Sequence, residues 1–104
     1  MKVEKIAIIV LNYNDFNETI KCVDNLLKLK LKHYILIVDN MSTNESYQIL
    51  MERYRNKNEI EVIKSDKNGG YSYGNNYGIK YMIKKYPQIH FFCIMNPDVI
   101  ITYC

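Results

Sequence analysis

Short apolar runs alternate with helical patterns along the whole chain, and this alternation is the sequence feature that most constrains the fold. The runs lie at residues 6–11, 34–38, 60–63 and 91–95 and are rich in β-branched side chains. Runs that are apolar throughout are typical of strands buried on both faces, as in a parallel sheet with right-handed helical crossovers. The sequence therefore predicts an α/β fold: a parallel, Rossmann-like sheet of about four strands with alternating helices.

Three helices are predicted between these strands. Asp15, with Glu18 three residues on, has the spacing of a side-chain N-cap, and an apolar helical face follows at Phe16, Ile20, Val23 and Leu27. The second helix is predicted from a capping box at Ser42 and Glu45, with an apolar side at Leu50, Met51 and Tyr54. The third should run over residues 71–86, because Pro87 disfavours a helical conformation in the residue before it.

Length and charge exclude several classes of protein. The 104 residues fit one small domain, and a composition of 48% hydrophobic and 24% charged residues is that of a folded globular chain. The net charge is only +3 and the lysines are scattered, so no nucleic-acid-binding surface is predicted. We expect a single domain over residues 1–104.

The N-terminus and the cysteines bear on location. The first apolar run has six residues, which is too short for a signal peptide or a membrane span. The three cysteines are widely spaced, without a CxxC pair or clustered histidines, so no zinc site is predicted and a reducing compartment is favoured. The expected location is the cytoplasm or the cytoplasmic face of the membrane.

Polar segments follow each predicted strand, at residues 12–15, 39–42, 65–70 and 96–98. In open parallel sheets, the ligand crevice lies at the carboxyl ends of the strands. Turn chemistry alone explains any one such segment. The turn after the first strand has no glycine and no P-loop is present, which argues against a dinucleotide or P-loop site. A divalent cation held by a carboxylate is the alternative way to neutralise a phosphate.

Four motifs at these positions are recognisable together. They are VLNYN at residues 10–14, IVDN at 37–40 with Ser42 and Thr43, NGGY at 68–71 running into GNNYGI at 74–79, and NPDV at 96–99. In this order they resemble the family-2 glycosyltransferases, especially their rhamnosyltransferase-like branch, over nearly the whole chain. The resemblance implies a GT-A fold, here a truncated nucleotide-sugar-binding N-terminal half that ends soon after the metal-binding motif.

The resemblance also implies roles for two carboxylates. Asp39 matches the aspartate that accepts a hydrogen bond from the N3–H of a pyrimidine. An ionised carboxylate suits this contact because it can only accept hydrogen bonds. The alternative is that Asp39 caps the second helix. Asp98 matches the last aspartate of the DxD motif, which binds Mg²⁺ or Mn²⁺ at the diphosphate of the nucleotide sugar. Asn96 replaces the first aspartate, and the alternative is a plain Asn-Pro-Asp turn.

Other residues are implied to lie along the nucleotide sugar. Interior helical glycines cost roughly 1 kcal/mol each, so Gly74 and Gly78 need a reason, either close packing on the sheet or close approach of a ligand. Tyr13 would stack on the base. The full predicted nucleotide-sugar site is Asn12, Tyr13, Asn14, Asp39, Asn68, Gly69, Asn75, Asn76 and Asn96, with Asp98 as the metal ligand.

The implied reaction is transfer of a sugar, with inversion, from a nucleoside diphosphate sugar to an acceptor hydroxyl of a glycan. A UDP- or dTDP-sugar is expected. The family's general base lies beyond the NPD motif, so no catalytic base is assigned, and we expect residues 1–104 to bind without transferring sugar and to self-associate. The alternatives are a non-catalytic nucleotide-binding module and an unrelated magnesium-binding α/β domain.

Overall fold

The computed structural model describes residues 6–29, 33–89 and 91–97. The elements, in chain order, are β1 (Ile6–Asn12), α1 (Phe16–Leu27), β2 (His33–Asp39), α2 (Ser46–Tyr54), β3 (Ile60–Lys64), α3 (Gly70–Lys85) and β4 (Phe91–Met95). All strand pairs are parallel and the sheet order is β3-β2-β1-β4. The predicted α/β class and the order of its elements are confirmed.

The two faces of the sheet are covered by different helices. Because successive side chains of a strand point to opposite faces, β1 and β2 contribute to both layers of the core. One layer packs β1 and β2 residues such as Ile8 and Ile35 against Val23 of α1 and Leu50 of α2. The other packs alternate residues, such as Ile9 and Leu36, against Met82 of α3. This arrangement buries β1 and β2 on both faces, as their continuously apolar sequences predict.

Helices α1 and α3 begin or end for the predicted reasons. Asp15 is the N-cap of α1, and its Oδ1 accepts a hydrogen bond from the backbone N–H of Glu18 at 3.4 Å. Helix α3 ends at Lys85, with Tyr86 as its C-cap, immediately before Pro87. Local sequence is sufficient at both places, because a side chain close in sequence caps one end and a proline stops the other.

The predicted start of α2 is wrong. The helix begins at Ser46, and its N-cap Glu45 makes no side-chain capping bond. The first turn is instead supported by Asn44, whose Oδ1 accepts from the backbone N–H of Ser46 at 2.9 Å. Ser42 lies outside the helix because its hydrogen bonds go elsewhere. Its backbone N–H and its hydroxyl donate to Asp39, and its hydroxyl oxygen accepts from the backbone N–H of Asn14. Met51, predicted on the apolar side, is 39% exposed.

Helix α3 lies unusually close to the sheet through two glycines on one face. A Cβ at Gly78 would come 2.8 Å from Val38 Cγ2 and 3.0 Å from Ile9 Cγ2. A Cβ at Gly74 would come 2.4 Å from Leu11 Cδ1. Close packing on the sheet, one of the two reasons considered for these glycines, is therefore present at both.

Helices α1 and α2 are joined by an ion pair. Arg53 Nη2 lies 2.6 Å from Asp24 Oδ2, and the Tyr54 hydroxyl donates to Asp24 Oδ1 at 2.8 Å. Partial burial raises the pKa of Asp24, but the hydrogen bonds from Arg53 and Tyr54 outweigh it, so this pKa lies below its ordinary value. None of the helices in the described part of the chain is both long and apolar enough to cross a bilayer.

Candidate functional site

The carboxyl ends of β1 and β2 are joined by four polar side chains that we call the buried network: Asn12, Thr19, Asp39 and Ser42. Asp39 Oδ1 accepts from Asn12 Nδ2 at 2.9 Å and from the Ser42 hydroxyl at 2.6 Å, while Oδ2 accepts from the Ser42 N–H at 3.0 Å. Thr19 donates to Asn12 Oδ1 at 2.6 Å. Asp39 is 0% exposed, so its carboxylate holds the loop after β2 against β1 and α1.

Asn14 extends these contacts to the surface. Its φ of 56° places it in the left-handed region, which asparagine tolerates better than most residues. Its Oδ1 accepts from the backbone N–H groups of Thr43 at 2.8 Å and Asn44 at 3.2 Å, and its own N–H donates to the Ser42 hydroxyl at 2.9 Å. The loops after β1 and β2 are therefore fixed to each other.

Asn40 makes the corresponding connection to β3 and α3. Its Oδ1 accepts from the Ser65 hydroxyl at 3.0 Å. Its Nδ2 donates to Asn68 Oδ1 at 3.1 Å and to the Gly70 carbonyl at 3.3 Å. Because three partners fix this amide, its orientation at the end of β2 is set by the fold.

The loop before α3 is held by an aromatic ring. Tyr73 packs so closely on Gly69 that a Cβ there would lie 2.5 Å from Tyr73 Cγ. The Tyr73 hydroxyl donates to Asp66, and this hydrogen bond raises the pKa of Tyr73 to about 12. Lys67 Nζ lies 4.7 Å from the centre of the same ring. These contacts position Asn68 and Gly70 at the edge of the sheet.

An open cleft of about 240 Å³ lies at this edge, between the loops after β1, β2, β3 and β4. Its apolar wall is formed by Leu11, Tyr13, Tyr71 and Pro97, and its polar groups come from Asp15, Thr19, Asn40, Asn68 and Asn96, with Gly70 between them. Tyr13 is 46% and Tyr71 is 57% exposed. Among these lining residues Asp15 is the single carboxylate, and none is a lysine or arginine.

The predicted site residues divide between these regions. Tyr13, Asn68 and Asn96 line the cleft. Asn12 and Asp39 lie in the buried network, and Asn14 and Gly69 lie in the loops that surround the cleft. Asn76 is exposed on α3, and Asn75 has a buried Oδ1 without a hydrogen-bond partner; neither lines the cleft. Asp98 lies outside the described residues.

Sequence reasoning missed some of the cleft. Asn40 and Tyr71 are the last residues of the IVDN and NGGY motifs, but neither was assigned to the predicted nucleotide-sugar site. Asp15 and Thr19 were missed as lining residues because their other contacts, a helix cap and a buried hydrogen bond, already account for them. Only the folded arrangement places these four side chains around one space.

A metal site is not assembled by the described side chains alone. Within residues 6–29, 33–89 and 91–97, no three His, Cys, Asp or Glu side chains form a group that could hold an ion. The carboxylate and amide oxygens in the cleft are of the kind that Mg²⁺ and Mn²⁺ prefer.

Comparison with solved structures shows the same fold in two glycosyltransferases. The mannosyltransferase PcManGT from Pyrobaculum calidifontis, in complex with GDP-Man and Mn²⁺, has a TM-score of 0.73 at 15% identity, covering 89% of this chain and 27% of its own. S. aureus TarS 1–349, in complex with UDP-GlcNAc, has a TM-score of 0.71 at 26% identity, covering 90% of this chain and 26% of its own. The chain thus spans about a quarter of these proteins and has the Rossmann-like part of the GT-A fold.

The family can be assigned from sequence as well. Among curated proteins, none matches the chain. The family described as glycosyl transferase family 2 matches residues 7–103, which includes all four strands except Ile6, the buried network and every cleft-lining residue. This chain therefore belongs to glycosyl transferase family 2.

Proposed function

We propose that the cleft binds the nucleoside diphosphate sugar of a family-2 glycosyltransferase, which transfers the sugar with inversion to an acceptor hydroxyl. The observation that carries this proposal is the cleft itself. It lies at the carboxyl ends of parallel strands, where α/β sheets bind nucleotides, within a chain that the family matches from residue 7 to residue 103. The GDP-Man and UDP-GlcNAc in the two related structures support the same class of ligand.

The proposed contacts are those of the predicted site. Tyr13, Asn68 and Asn96 are proposed to touch the nucleotide sugar directly, because they line the cleft. For Asp39 we retain the proposal of a hydrogen bond from a pyrimidine N3–H: Oδ2 accepts one hydrogen bond in the structure, so an acceptor position remains. That contact requires the buried carboxylate to be uncovered. Asn40 offers an amide at the cleft surface beside it.

A divalent cation is part of the proposal. Asp98 is proposed to bind Mg²⁺ or Mn²⁺, and Asn96, two residues before it, lines the cleft. The Mn²⁺ of the related mannosyltransferase structure supports this choice. When bound, such an ion stabilises negative charge on a leaving diphosphate.

We also propose that residues 1–104 bind the nucleotide sugar without transferring it. Deprotonating an acceptor hydroxyl requires a base, and Asp15, the carboxylate in the lining of the described cleft, already caps α1. The remaining proposals rest on the family resemblance: a UDP- or dTDP-sugar, a glycan acceptor, and a bacterial cytoplasm or the cytoplasmic face of its membrane.

The test is calorimetric titration of UDP, dTDP and GDP with and without Mn²⁺. We expect weak binding of at least one diphosphate, and Asn68→Ala should weaken it about fivefold or more, in line with the net worth of a hydrogen bond. The matched control is Asn58→Ala, because Asn58 is an exposed loop asparagine before β3, at the opposite edge of the sheet. Absence of binding by all three nucleotides, or equal losses in both variants, would contradict the proposal.

Self-association is a further proposal for this chain. Strand β4 lies at one edge of the described sheet, and Phe91 on it is 58% exposed. A groove of about 370 Å³ between α1 and the end of β4 is lined partly by Leu26, Leu29 and Met95. Exposed apolar edges favour pairing with another chain, and two-fold dimers are the commonest result. Light scattering should detect a dimer that Phe91→Lys weakens; a monodisperse monomer at high concentration would refute this.

A further inference from the structure

We propose that Met41 is a strained hinge in the loop after β2, and that this loop moves about Met41 when a nucleotide reaches the Asp39 carboxylate. Release of the strain offsets part of the cost of uncovering that carboxylate. The inference rests on the proposed function, because it starts from the base contact proposed for Asp39. It gives a role in binding to a residue outside the lining of the described cleft.

The backbone of Met41 has a conformation that long side chains rarely adopt. Its φ is 57°, in the left-handed region, where the Cβ of an L-residue lies too close to the following carbonyl oxygen. Among the described non-glycine residues Asn14 shares this conformation, but asparagine tolerates it better. At Met41 the conformation is disfavoured by a factor of roughly 5 to 30 relative to an ordinary one.

Hydrogen bonds on both sides of Met41 hold it in this conformation. Before it, the Asn40 N–H donates to the Asn12 carbonyl at 2.8 Å. After it, the Ser42 N–H donates to Asp39 Oδ2 at 3.0 Å and the Ser42 hydroxyl to Oδ1 at 2.6 Å. Met41 itself is 40% exposed, so these bonds rather than deep burial fix the loop. Backbone strain persists only where the surroundings over-determine it.

The Asp39 carboxylate therefore has two competing partners, the loop and the ligand. Asp39 is 0% exposed, and its bonds to Ser42 tie it to the loop. A base that donates to Oδ2 must displace the loop, which breaks these bonds and frees Met41 to return to a negative φ. The strain thus raises the population of the open loop, and apparent affinity is proportional to that population.

The experiment compares two substitutions at the same position. Met41→Gly and Met41→Ala both remove the thioether side chain, but glycine alone adopts a positive φ without strain. Urea unfolding measures the stability of the ligand-free chain, and calorimetry with and without Mn²⁺ measures the binding of UDP, dTDP and GDP. The same pair of substitutions at Gln48, an exposed position within α2, is the matched control, because glycine is the poorer residue inside a helix.

We expect Met41→Gly to have a higher urea midpoint than Met41→Ala, because relief of the strain outweighs the greater freedom of glycine in the unfolded chain. Met41→Gly should also bind the preferred diphosphate about threefold to tenfold more weakly than Met41→Ala, because its open loop is less populated. At Gln48 the order of stability should be reversed, and the two variants should bind alike. A purely structural role of Met41 would not make stability and affinity change in opposite directions.

Three results would overturn the inference while leaving the proposed function in place. If Met41→Ala is at least as stable as Met41→Gly, the backbone is not strained. If the two Met41 variants bind equally, the strain is not coupled to binding. If Met41→Gly binds more tightly, the ligand selects the loop in its present conformation. If the unsubstituted chain binds none of the three diphosphates with or without Mn²⁺, the proposed function and this inference fail together.

Discussion

The buried network and the cleft lie at the same edge of one sheet and are built from the same kinds of polar residue, yet they differ in what those residues contact. In the network, Asp39 and Asn12 are buried and bonded to protein groups. In the cleft, Tyr13 and Asn68 are exposed. A polar side chain at a strand end can therefore fix the loops or face the ligand. Residue type does not distinguish the two uses, and burial does so only in part, because Thr19 and Asn40 are buried and bonded to protein groups yet also line the cleft.

The largest expected effect is at the centre of the network. Asp39→Ala removes the acceptor for Asn12 Nδ2, the Ser42 N–H and the Ser42 hydroxyl, and each buried group left unpaired costs about 1–3 kcal/mol. We expect the free energy of unfolding in urea to fall by roughly 3 kcal/mol or more. Glu52→Ala, an exposed carboxylate change on α2, should cost less than about 0.5 kcal/mol.

Nucleotide affinity of the same Asp39→Ala variant tests whether the carboxylate also contacts the ligand. If Asp39 only fixes the loops, a residual folded population should retain part of the binding. If it also accepts from the base, most of the binding should be lost. Unchanged stability in urea would show that the Asp39 carboxylate has no structural role.

Gly74 lies against two residues of the cleft lining, whereas Gly78 lies against neither region. A methyl group at Gly74 meets Leu11 of the cleft wall and comes 3.4 Å from Asn40 Oδ1, whereas at Gly78 it meets Val38 and Ile9. Overpacking costs about 1–3 kcal/mol, so Gly74→Ala and Gly78→Ala should each destabilise the chain by roughly 2 kcal/mol. Only Gly74→Ala should also weaken nucleotide binding, as measured by calorimetry. Equal losses of affinity in Gly74→Ala and Gly78→Ala would show that binding depends on how tightly α3 as a whole packs on the sheet.

A smaller effect is expected at the exposed rim of the network. Asn14→Gly keeps the positive φ accessible but removes the acceptor for Thr43 and Asn44, and should cost about 1 kcal/mol in urea unfolding. Asn14→Ala should cost roughly 1 kcal/mol more, since alanine disfavours the left-handed region. Equal stabilities of the two variants would show that the backbone conformation contributes nothing.

The smallest expected effect on the metal-free protein is that of Asp98→Ala. Asp98→Ala should abolish any gain in UDP affinity on adding Mn²⁺ and leave the metal-free affinity nearly intact, because Asp98 is proposed to act through the ion alone. Calorimetry with Mn²⁺ or EDTA measures this, with Glu52→Ala, an exposed carboxylate change on α2, as the control. The same metal dependence in Asp98→Ala would place the ion elsewhere.

The sequence predicted those features that depend on neighbours in the chain. Continuous apolar runs located all four strands, Asp15 located the start of α1, and Pro87 located the end of α3. The start of α2 was predicted wrongly because Ser42, which has the capping-box spacing, is hydrogen-bonded instead to Asp39, three residues earlier, and to Asn14, 28 residues earlier. Hydrogen bonds between separate loops decide such cases, and spacing along the chain does not encode them.

The same limit explains what sequence could and could not predict about the candidate site. Tyr13, Asn68 and Asn96, chosen for their strand-end positions, line the cleft because the fold brings the loops after parallel strands together. It could not separate Asp39 from Asn40, which are adjacent in sequence but contact different groups. The position of Tyr71 at the cleft could not be predicted either, because its exposure depends on where α3 begins relative to the loop after β1.

The edge position of β4 also bears on how the chain folds. Hydrogen bonds link the loops after β1, β2 and β3 to one another, whereas β4 pairs with β1 along five residues and carries an exposed Phe91. Proteins open in cooperative units whose stability follows their burial. The β1-β2-β3 portion should therefore form such a unit with its helices, and β4 should dock onto it late. Amide hydrogens of β4 should exchange with solvent sooner than those of β1, although the two strands pair directly.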